Sequence, residues 1–499
     1  MGYDAHDLMS RTLVLSLLRA GDTLVHLPVL AALRAADPGG ELHVLVQAAA
    51  RPAVALLATQ AAVHRLPVDH QGGPLGPCAA VVDELRARDF DLVVNLTHRV
   101  FAADLAAAIG GRRQLGLVRR DGAPAVSSPW LAALNDWGTS AALSVLHYAD
   151  VACQALGLAR ADPGLVARLS PAVEEWWRAA RERLALDPGA PGARPLVALQ
   201  LTTSEAKKTW PAARWAAFAR ELHARVPQAA LVALAAPAEE DAVAAALAGT
   251  GARVLACALP EAARLLADAA LLVTGDTALV HLGALAGAPV LLLSSGSSAF
   301  RELGPAGAGH LVLQAAWPCA PCAHDPGCLA SARGHPCVES VEPAFAAAVA
   351  HAMLEDRAPP EPTPGGRVAL FRSALDARGL VTYHPVGAAP PDTASAELLR
   401  AHLLEALPVA GGAARAPDAP RPPGPHERAA LADLGAAAAA LRSRAGGRDP
   451  GGLARLLPTL QSPFALAFAT AVAARLREGD GAAVAAELAQ LGRRIASVA

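Results

Sequence analysis

The chain has 499 residues, enough for two to four domains at roughly 100–200 residues each. A formal charge of −2 at pH 7 gives no global attraction to nucleic acid, and no run of about 18 apolar residues free of charge is present to span a bilayer. The seven cysteines do not resemble a secreted disulfide framework, and Asp4 and Asp7 stand where a secretory leader would be basic, so a soluble cytoplasmic protein is expected, with peripheral membrane contact still compatible.

In chain order, "RTLVLSLL" at 11–18 reads as a strand, followed by a helix from about Asp22 to Ala36. "ELHVLV" (41–46) and "FDLVVNL" (90–96) repeat the pattern, each followed by an alanine-rich helical stretch. A Trp-bearing helical stretch and the Pro- and Gly-rich "LALDPGAPGAR" (184–194) then interrupt it. Alternation resumes with "PLVALQL" (195–201), "AALVALAA" (229–236), "ARVLAC" (252–257), "ALLVTG" (270–275) and "PVLLLSS" (289–295). Strands alternating with helices predict βαβ units and parallel sheets, hence an α/β protein of two Rossmann-like domains with a cleft between them. The expected division is 1–171, a linker at 172–194, and 195–356 with a cysteine-rich loop at 317–338. Residues 357–426 read as a Pro-rich linker with a small hairpin-like element, and 427–499 as a helical tail suited to packing or oligomerisation.

Ligands of such sheets bind at the carboxyl ends of the strands, which selects three segments. "TTSEAKKTWP" (202–211) follows a strand and holds Lys207 and Lys208, the only two lysines among 43 Lys and Arg. An ammonium is a compact point charge that can follow a phosphate oxygen, whereas arginine's planar fork suits fixed bidentate geometry. A diphosphate site fits; a solvated loop is the plainer reading. In "VTGDTALVHLGALAGAPVLLL" (273–293), Asp276 and Thr277 open a helix whose free N–H groups suit phosphate, with His281 one turn on; helix capping by Asp276 and a packed histidine are the alternatives. In "LLRAGDTLVHLPVLAALRAADP" (18–38), Asp22 either caps the first helix or takes a proton as general base.

Together these pieces resemble glycosyltransferase family 9, the heptosyltransferases: a strand followed by GD-x5-P, then K-x-WP after the first strand of the second half, then DT-x3-H before an apolar strand. "SSGSSAFRELGP" (294–305) and "WPCAPC" are similar too, and the resemblance covers about residues 11–355. It implies the GT-B arrangement and transfer, with inversion, of a sugar from a nucleotide diphosphate, ADP-heptose favoured. The acceptor would enter from the N-terminal half, as lipopolysaccharide core or a protein hydroxyl. By the same resemblance Asp22 is the base; Lys208, with Thr202 and Thr203 beside it, meets the donor diphosphate; Asp276, Thr277 and His281 form the donor-binding segment. The sequence departs from the pattern at Ala278, where glycine is usual, and at Arg19 and Ala20, where small hydroxylated residues are common.

No cofactor is required for the transfer; "DFD" (89–91) precedes a strand and reads as its solvated entry, not as a metal-binding triplet. Separately, Cys319-x2-Cys322-x5-Cys328-x8-Cys337 has the spacing of a structural zinc or iron site, with reduced thiols or two disulfides as alternatives, and His324 and His335 lie in the same loop. "SEAK" (204–207) lacks the partners of a penicillin-recognising enzyme, and neither a Walker-type loop nor a G-x-G-x-x-G after a strand is present. The rival expectation is a non-catalytic carbohydrate-binding or assembly scaffold built on a glycosyltransferase body.

Overall fold

The computed structural model describes residues 11–67, 76–137, 143–186, 194–317, 319–322, 335–407, 423, 425–445, 465, 468, 472 and 481–498. The first unit runs β1 (Arg11–Ser16), α1 (Ala20–Leu24), α2 (Leu27–Ala36), β2 (Glu41–Val46), α3 (Val54–Leu57), β3 (Ala62–Arg65), α4 (Ala79–Arg86), β4 (Leu92–Asn95), α5 (Val100–Ile109), β5 (Arg113–Arg120), β6 (Ala123–Val126), α6 (Pro129–Trp137) and α7 (Tyr148–Ala155). Its sheet has the order β3-β2-β1-β4-β5-β6, parallel except where β6 turns back on β5. After α8 (Pro171–Leu184) the second unit follows: β7 (Leu196–Gln200), α9 (Ala212–Arg225), β8 (Ala230–Ala235), α10 (Glu240–Ala246), β9 (Arg253–Ala256), α11 (Leu259–Ala267), β10 (Leu271–Gly275), α12 (Ala278–Ala286), β11 (Val290–Ser294), α13 (Phe300–Leu303), β12 (Leu311–Ala315) and α14 (Pro343–Leu354). Strands β7, β10, β11 and β12 are buried along their whole length, which a parallel sheet covered by helices on both faces requires of its leucine and valine runs.

The expected single helix from Asp22 to Ala36 is two helices, α1 and α2. Pro28 has no N–H to give the Leu24 carbonyl four residues back, so the ladder breaks at Val25–His26 and restarts with proline in the first turn, where no donor is missed. Helix α8, in the expected linker, buries Trp177 in a core shared by both units, and the Trp177 indole donates to Asp268 Oδ2 at 2.7 Å.

The second sheet does not end near 356. Strands β13 (Val368–Leu375) and β14 (Val381–Val386) form a hairpin that adds antiparallel to β12, giving the order β14-β13-β12-β11-β10-β7-β8-β9 and covering an edge otherwise left with unpaired backbone groups. Helices α15 (Thr393–Ala406), α16 (Pro425–Ala445) and α17 (Gly481–Val498) then share an apolar core with α6 and α7 of the first unit, through Leu131, Leu399, Leu431 and Leu488 among others. The extension thus joins both units: the Val381 N–H donates to Asp150 Oδ2 at 2.6 Å, and Asp150 lies 3.6 Å from Arg160. Among the described residues no helix is long and apolar enough to cross a membrane.

Candidate active site

The loop after β1 is held from behind. The Leu17 N–H donates to the Thr97 hydroxyl at 2.8 Å, and Asn95 Oδ1 accepts from the Thr97 N–H at 2.9 Å, so the carboxyl ends of β1 and β4 are tied together. Deeper, Ser16 Oγ meets His26 Nδ1 at 2.7 Å, His26 Nε2 meets the Tyr148 hydroxyl at 3.1 Å, and that hydroxyl donates to the Leu96 carbonyl at 2.5 Å. Because Tyr148 spends its proton on Leu96, its oxygen accepts from His26 Nε2–H, leaving Nδ1 to accept from Ser16. The ring is therefore neutral, in keeping with burial that pushes His26 down to about 3. This network fixes the turn from which α1 presents Asp22, half-buried, into the cleft.

Gly21 brings the two units together. A Cβ built there would lie 3.2 Å from Ala278 Cα and 3.4 Å from both Ala278 N and Cβ, so the first turn of α1 rests on the first turn of α12. Ala278 at the usual glycine position is thus met by a glycine across the interface. This packing aligns Asp22 with the residues that open α12.

On the second unit, the 202–211 segment makes a short 3-10 turn over Ala206–Lys208. Lys208 Nζ pairs with Asp276 Oδ2 at 2.7 Å and lies 3.7 Å from Glu205, while Lys207, buried, pairs with Glu205 at 3.2 Å. Burial works against the Lys208 charge, but Asp276, through charge and hydrogen bond, with Glu205 and Asp22 behind it, raises its pKa above the ordinary lysine value. Close approach of the two loops depends on Gly275, where a Cβ would sit 3.0 Å from Thr203 Cγ2 and 3.4 Å from the Lys208 carbonyl oxygen. The Thr202 hydroxyl donates to Glu239 Oε2 at 3.2 Å and accepts from Gln200 at 2.7 Å; the Thr203 hydroxyl donates to the Glu205 carbonyl at 2.8 Å and meets Thr209 Oγ1 at 2.6 Å. Both threonines therefore shape the lysine turn.

Thr277, not Asp276, caps α12, accepting from the Leu279 N–H at 3.2 Å. The capping alternative for Asp276 falls, and its carboxylate is directed at Lys208 instead. His281 is buried one turn further on and pushed down to about 4 by burial, with nearby His147 adding to the shift and Asp276 opposing it. His147 Nε2–H donates across the units to the Gly304 carbonyl at 3.0 Å, and its Nδ1 accepts from the Ala149 N–H at 3.3 Å.

The 294–298 loop lies against the lysine turn. Gly296 adopts φ +59° where an added Cβ would fall 2.3 Å from the Lys207 carbonyl oxygen, so only glycine fits that crossing. The Cys322 N–H donates to the Gly296 carbonyl at 2.8 Å, docking the start of the cysteine loop beside the site. Cys319 is exposed, Cys322 half-buried and Cys337 buried, while Cys328 lies outside the described residues. Among the described residues no group of three or more His, Cys, Asp or Glu side chains is placed to hold a metal ion, so Cys319, Cys322 and Cys337 do not by themselves form a centre.

One residue of the site went unmarked by sequence reasoning: Glu205, which sits inside the lysine stretch and lies 3.2 Å from Lys207 and 3.7 Å from Lys208. The assembled site presents a carboxylate on one unit to an ammonium, a carboxylate and a helix start on the other. Such a set can take a proton from a hydroxyl while it neutralises a departing diphosphate.

Two mostly parallel α/β sheets facing one another over this set of residues, joined by a helical extension, are the architecture of a GT-B glycosyltransferase. A crystal structure of a family 9 glycosyl transferase from Veillonella parvula DSM 2008 shares the fold, with a TM-score of 0.55 at 18% identity, over 71% of this chain and 99% of that one. The ADP-heptose lps heptosyltransferase II of E. coli is similar at 18% identity and TM-score 0.42 over 59% of this chain and 87% of that one, and E. coli heptosyltransferase WaaC with ADP-2-deoxy-2-fluoro heptose at 19% and 0.41 over 59% and 95%. No curated protein matches the sequence. The model of glycosyltransferase family 9 (heptosyltransferase) matches residues 78–330, just over half of the chain, and the chain belongs to that family.

Proposed function

We propose that this glycosyltransferase moves heptose from ADP-heptose, with inversion, to a hydroxyl acceptor: a lipopolysaccharide core sugar or a protein side chain. Asp22 takes the acceptor proton as the new bond to the anomeric carbon forms and the bond to the diphosphate breaks. Lys208 and the N–H groups at the start of α12 receive the charge that builds on the leaving diphosphate, and Asp276, released from Lys208, meets hydroxyls of the sugar. No cofactor enters the step. The observation that carries this reading is the seating of Gly21 on Ala278, which brings Asp22 within electrostatic reach of the Lys208–Asp276 pair. The family's heptosyltransferase description supports heptose as the sugar. The reading puts the reaction in the cytoplasm, where nucleotide-activated sugars are made. Spacing alone carries the further reading that Cys319, Cys322, Cys328 and Cys337 hold a structural zinc or iron ion.

Release of nucleoside diphosphate from ADP-, UDP-, GDP- and TDP-sugars, with and without a core-oligosaccharide extract, tests the reading. Release from one donor, stimulated by acceptor, is expected. Lys208→Ala should lower kcat/KM by about 10²–10³, the loss typical of removing one stabiliser of developing charge. Asp22→Asn should abolish transfer while donor binding survives; loss of both together would make Asp22 a structural cap and return the scaffold reading.

A further inference from the structure

The Glu205 carboxylate stands between two ammoniums and gives one oxygen to each. Its Oε2 lies 3.2 Å from Lys207 Nζ and its Oε1 3.7 Å from Lys208 Nζ, while Lys208 Nζ lies 2.7 Å from Asp276 Oδ2. The main chain beneath Glu205 is fixed, since its carbonyl accepts from the Lys208 N–H at 2.9 Å and from the Thr203 hydroxyl at 2.8 Å. Lys207 is fixed as well. Its side chain is buried, its carbonyl oxygen accepts from the Ser295 hydroxyl at 3.4 Å, and a Cβ at Gly296 would fall 3.2 Å from Lys207 Cγ, so the stem lies packed against the 294–298 loop. The two neighbouring lysines thus differ in surroundings: Lys207 is built into the second unit, whereas Lys208 meets Asp276 at the opening of α12 and feels the charge of Asp22 across the cleft.

We propose that Lys207 is a positioning residue: it holds the Glu205 carboxylate away from Lys208 and so leaves the Lys208 ammonium to the donor diphosphate. The proposal rests on the donor reading given above. In that reading Asp276 leaves Lys208 for the sugar, and Glu205, three residues earlier on the same turn, is within reach of the freed ammonium. A carboxylate that closed on Lys208 would compete with the diphosphate for it. Distance settles the competition, because at 3.2 Å against 3.7 Å the stronger attraction is to Lys207. Lys207 is held by the same contact, since a buried ammonium is costly without a counter-charge. The Lys207–Glu205 pair therefore stays closed through the reaction, and the Lys208–Asp276 pair is the one that opens.

The test is a double-mutant cycle on the full chain, read as ADP affinity by calorimetry. Glu205→Gln removes the competing charge with little change of shape and should tighten ADP about fivefold, the upper size of a partly exposed ion pair. Lys207→Met keeps the buried stem, frees the carboxylate to close on Lys208 and should weaken ADP about fivefold. In the Glu205→Gln background the same Lys207→Met change should alter ADP affinity by less than about twofold, because Lys207 acts through Glu205. Equal weakening in both backgrounds would make Lys207 a direct phosphate ligand and overturn the proposal. Unchanged affinity in Lys207→Met alone overturns it too, and so does weaker binding in Glu205→Gln, which would assign Glu205 to the fold. Lys207→Gln, which keeps a polar end at the buried position, repeats the comparison and should give the same pattern. Wild type that does not bind ADP refutes the donor reading and the proposal with it, a result distinct from the others.

Discussion

Gly21→Ala sets two opposed effects against each other. Within α1 an alanine is worth about 0.5–1 kcal/mol more than a glycine, so helix propensity alone predicts stabilisation. The interface predicts the reverse, because the new methyl would sit 3.2 Å from Ala278 Cα and 3.4 Å from its backbone nitrogen. Carbon atoms are comfortable at about 3.5–4.0 Å, so α1 and α12 must separate by roughly 0.3–0.8 Å or deform. Overpacking of this kind costs about 1–3 kcal/mol, which offsets or exceeds the propensity gain and leaves a net loss of up to about 2.5 kcal/mol. For a chain of this size each kcal/mol moves Tm by about 2–4 °C at most, so a fall of a few degrees is expected. The same displacement carries Asp22 away from Lys208 and Asp276. Misplacement by about 1 Å can cost about 10²-fold, so a shift of several tenths of an ångström should lower kcat/KM by about five- to tenfold. Ala278→Gly in the same background removes the methyl at 3.4 Å but leaves the α12 main chain as close as before, so it should recover only part of both losses. Thermal unfolding and nucleoside diphosphate release measure the two effects. A raised Tm with unchanged turnover in Gly21→Ala would refute the view that this packing sets the cleft.

Four buried histidines govern the acid side of the stability curve. Burial holds His26 down to about 3, and His147, His281 and His310 down to about 4, all below the 6.5 of an exposed imidazole. The unfolded chain therefore binds protons first: the stabilisation is complete above about pH 6.5 and is lost as pH falls toward 4, at up to about 1.4 kcal/mol per pH unit for each ring. The urea midpoint should fall between pH 7 and pH 5; a flat midpoint would mean that these rings are solvated in the folded chain. For the cysteine loop, purified protein should carry about one zinc or iron ion per chain, measured by elemental analysis and lost from a Cys319→Ser, Cys322→Ser variant. Metal-free wild type that unfolds at the same temperature as metal-treated protein would assign the thiols no such role.

The apolar runs announced most of the strands. "ELHVLV" coincides with β2, and "ALLVTG" and "PVLLLSS" coincide with β10 and β11 to within a residue at each end, since central parallel strands must be apolar on both faces. The strands missed were β12, although it is apolar and buried along its length, and also β3, β5 and β6 at or near a sheet edge. β3 carries His64 and Arg65, and β5 carries Arg113, Arg119 and Arg120, because edge or near-edge strands keep one side in water. The division of the Asp22–Ala36 helix was legible in Pro28 itself, whose missing N–H forbids a continuous ladder.

Within the site, the sequence determined the types of group and their places at strand ends: Asp22 after β1, the two lysines after β7, and Asp276 and Thr277 after β10. Local chemistry was enough for that, because a βα turn is set by a few neighbouring residues. Which atom meets which was decided by the tertiary structure alone. Asp276 and Thr277 were equally good caps until Lys208, nearly seventy residues earlier, drew Asp276 to 2.7 Å and left the cap to Thr277. Gly21 and Ala278 lie on different units, and a missing Cβ on one has meaning only against the backbone of the other. Pair distances and desolvation are sums over everything that packs around a group, and in this protein most of those neighbours come from the opposite side of the cleft.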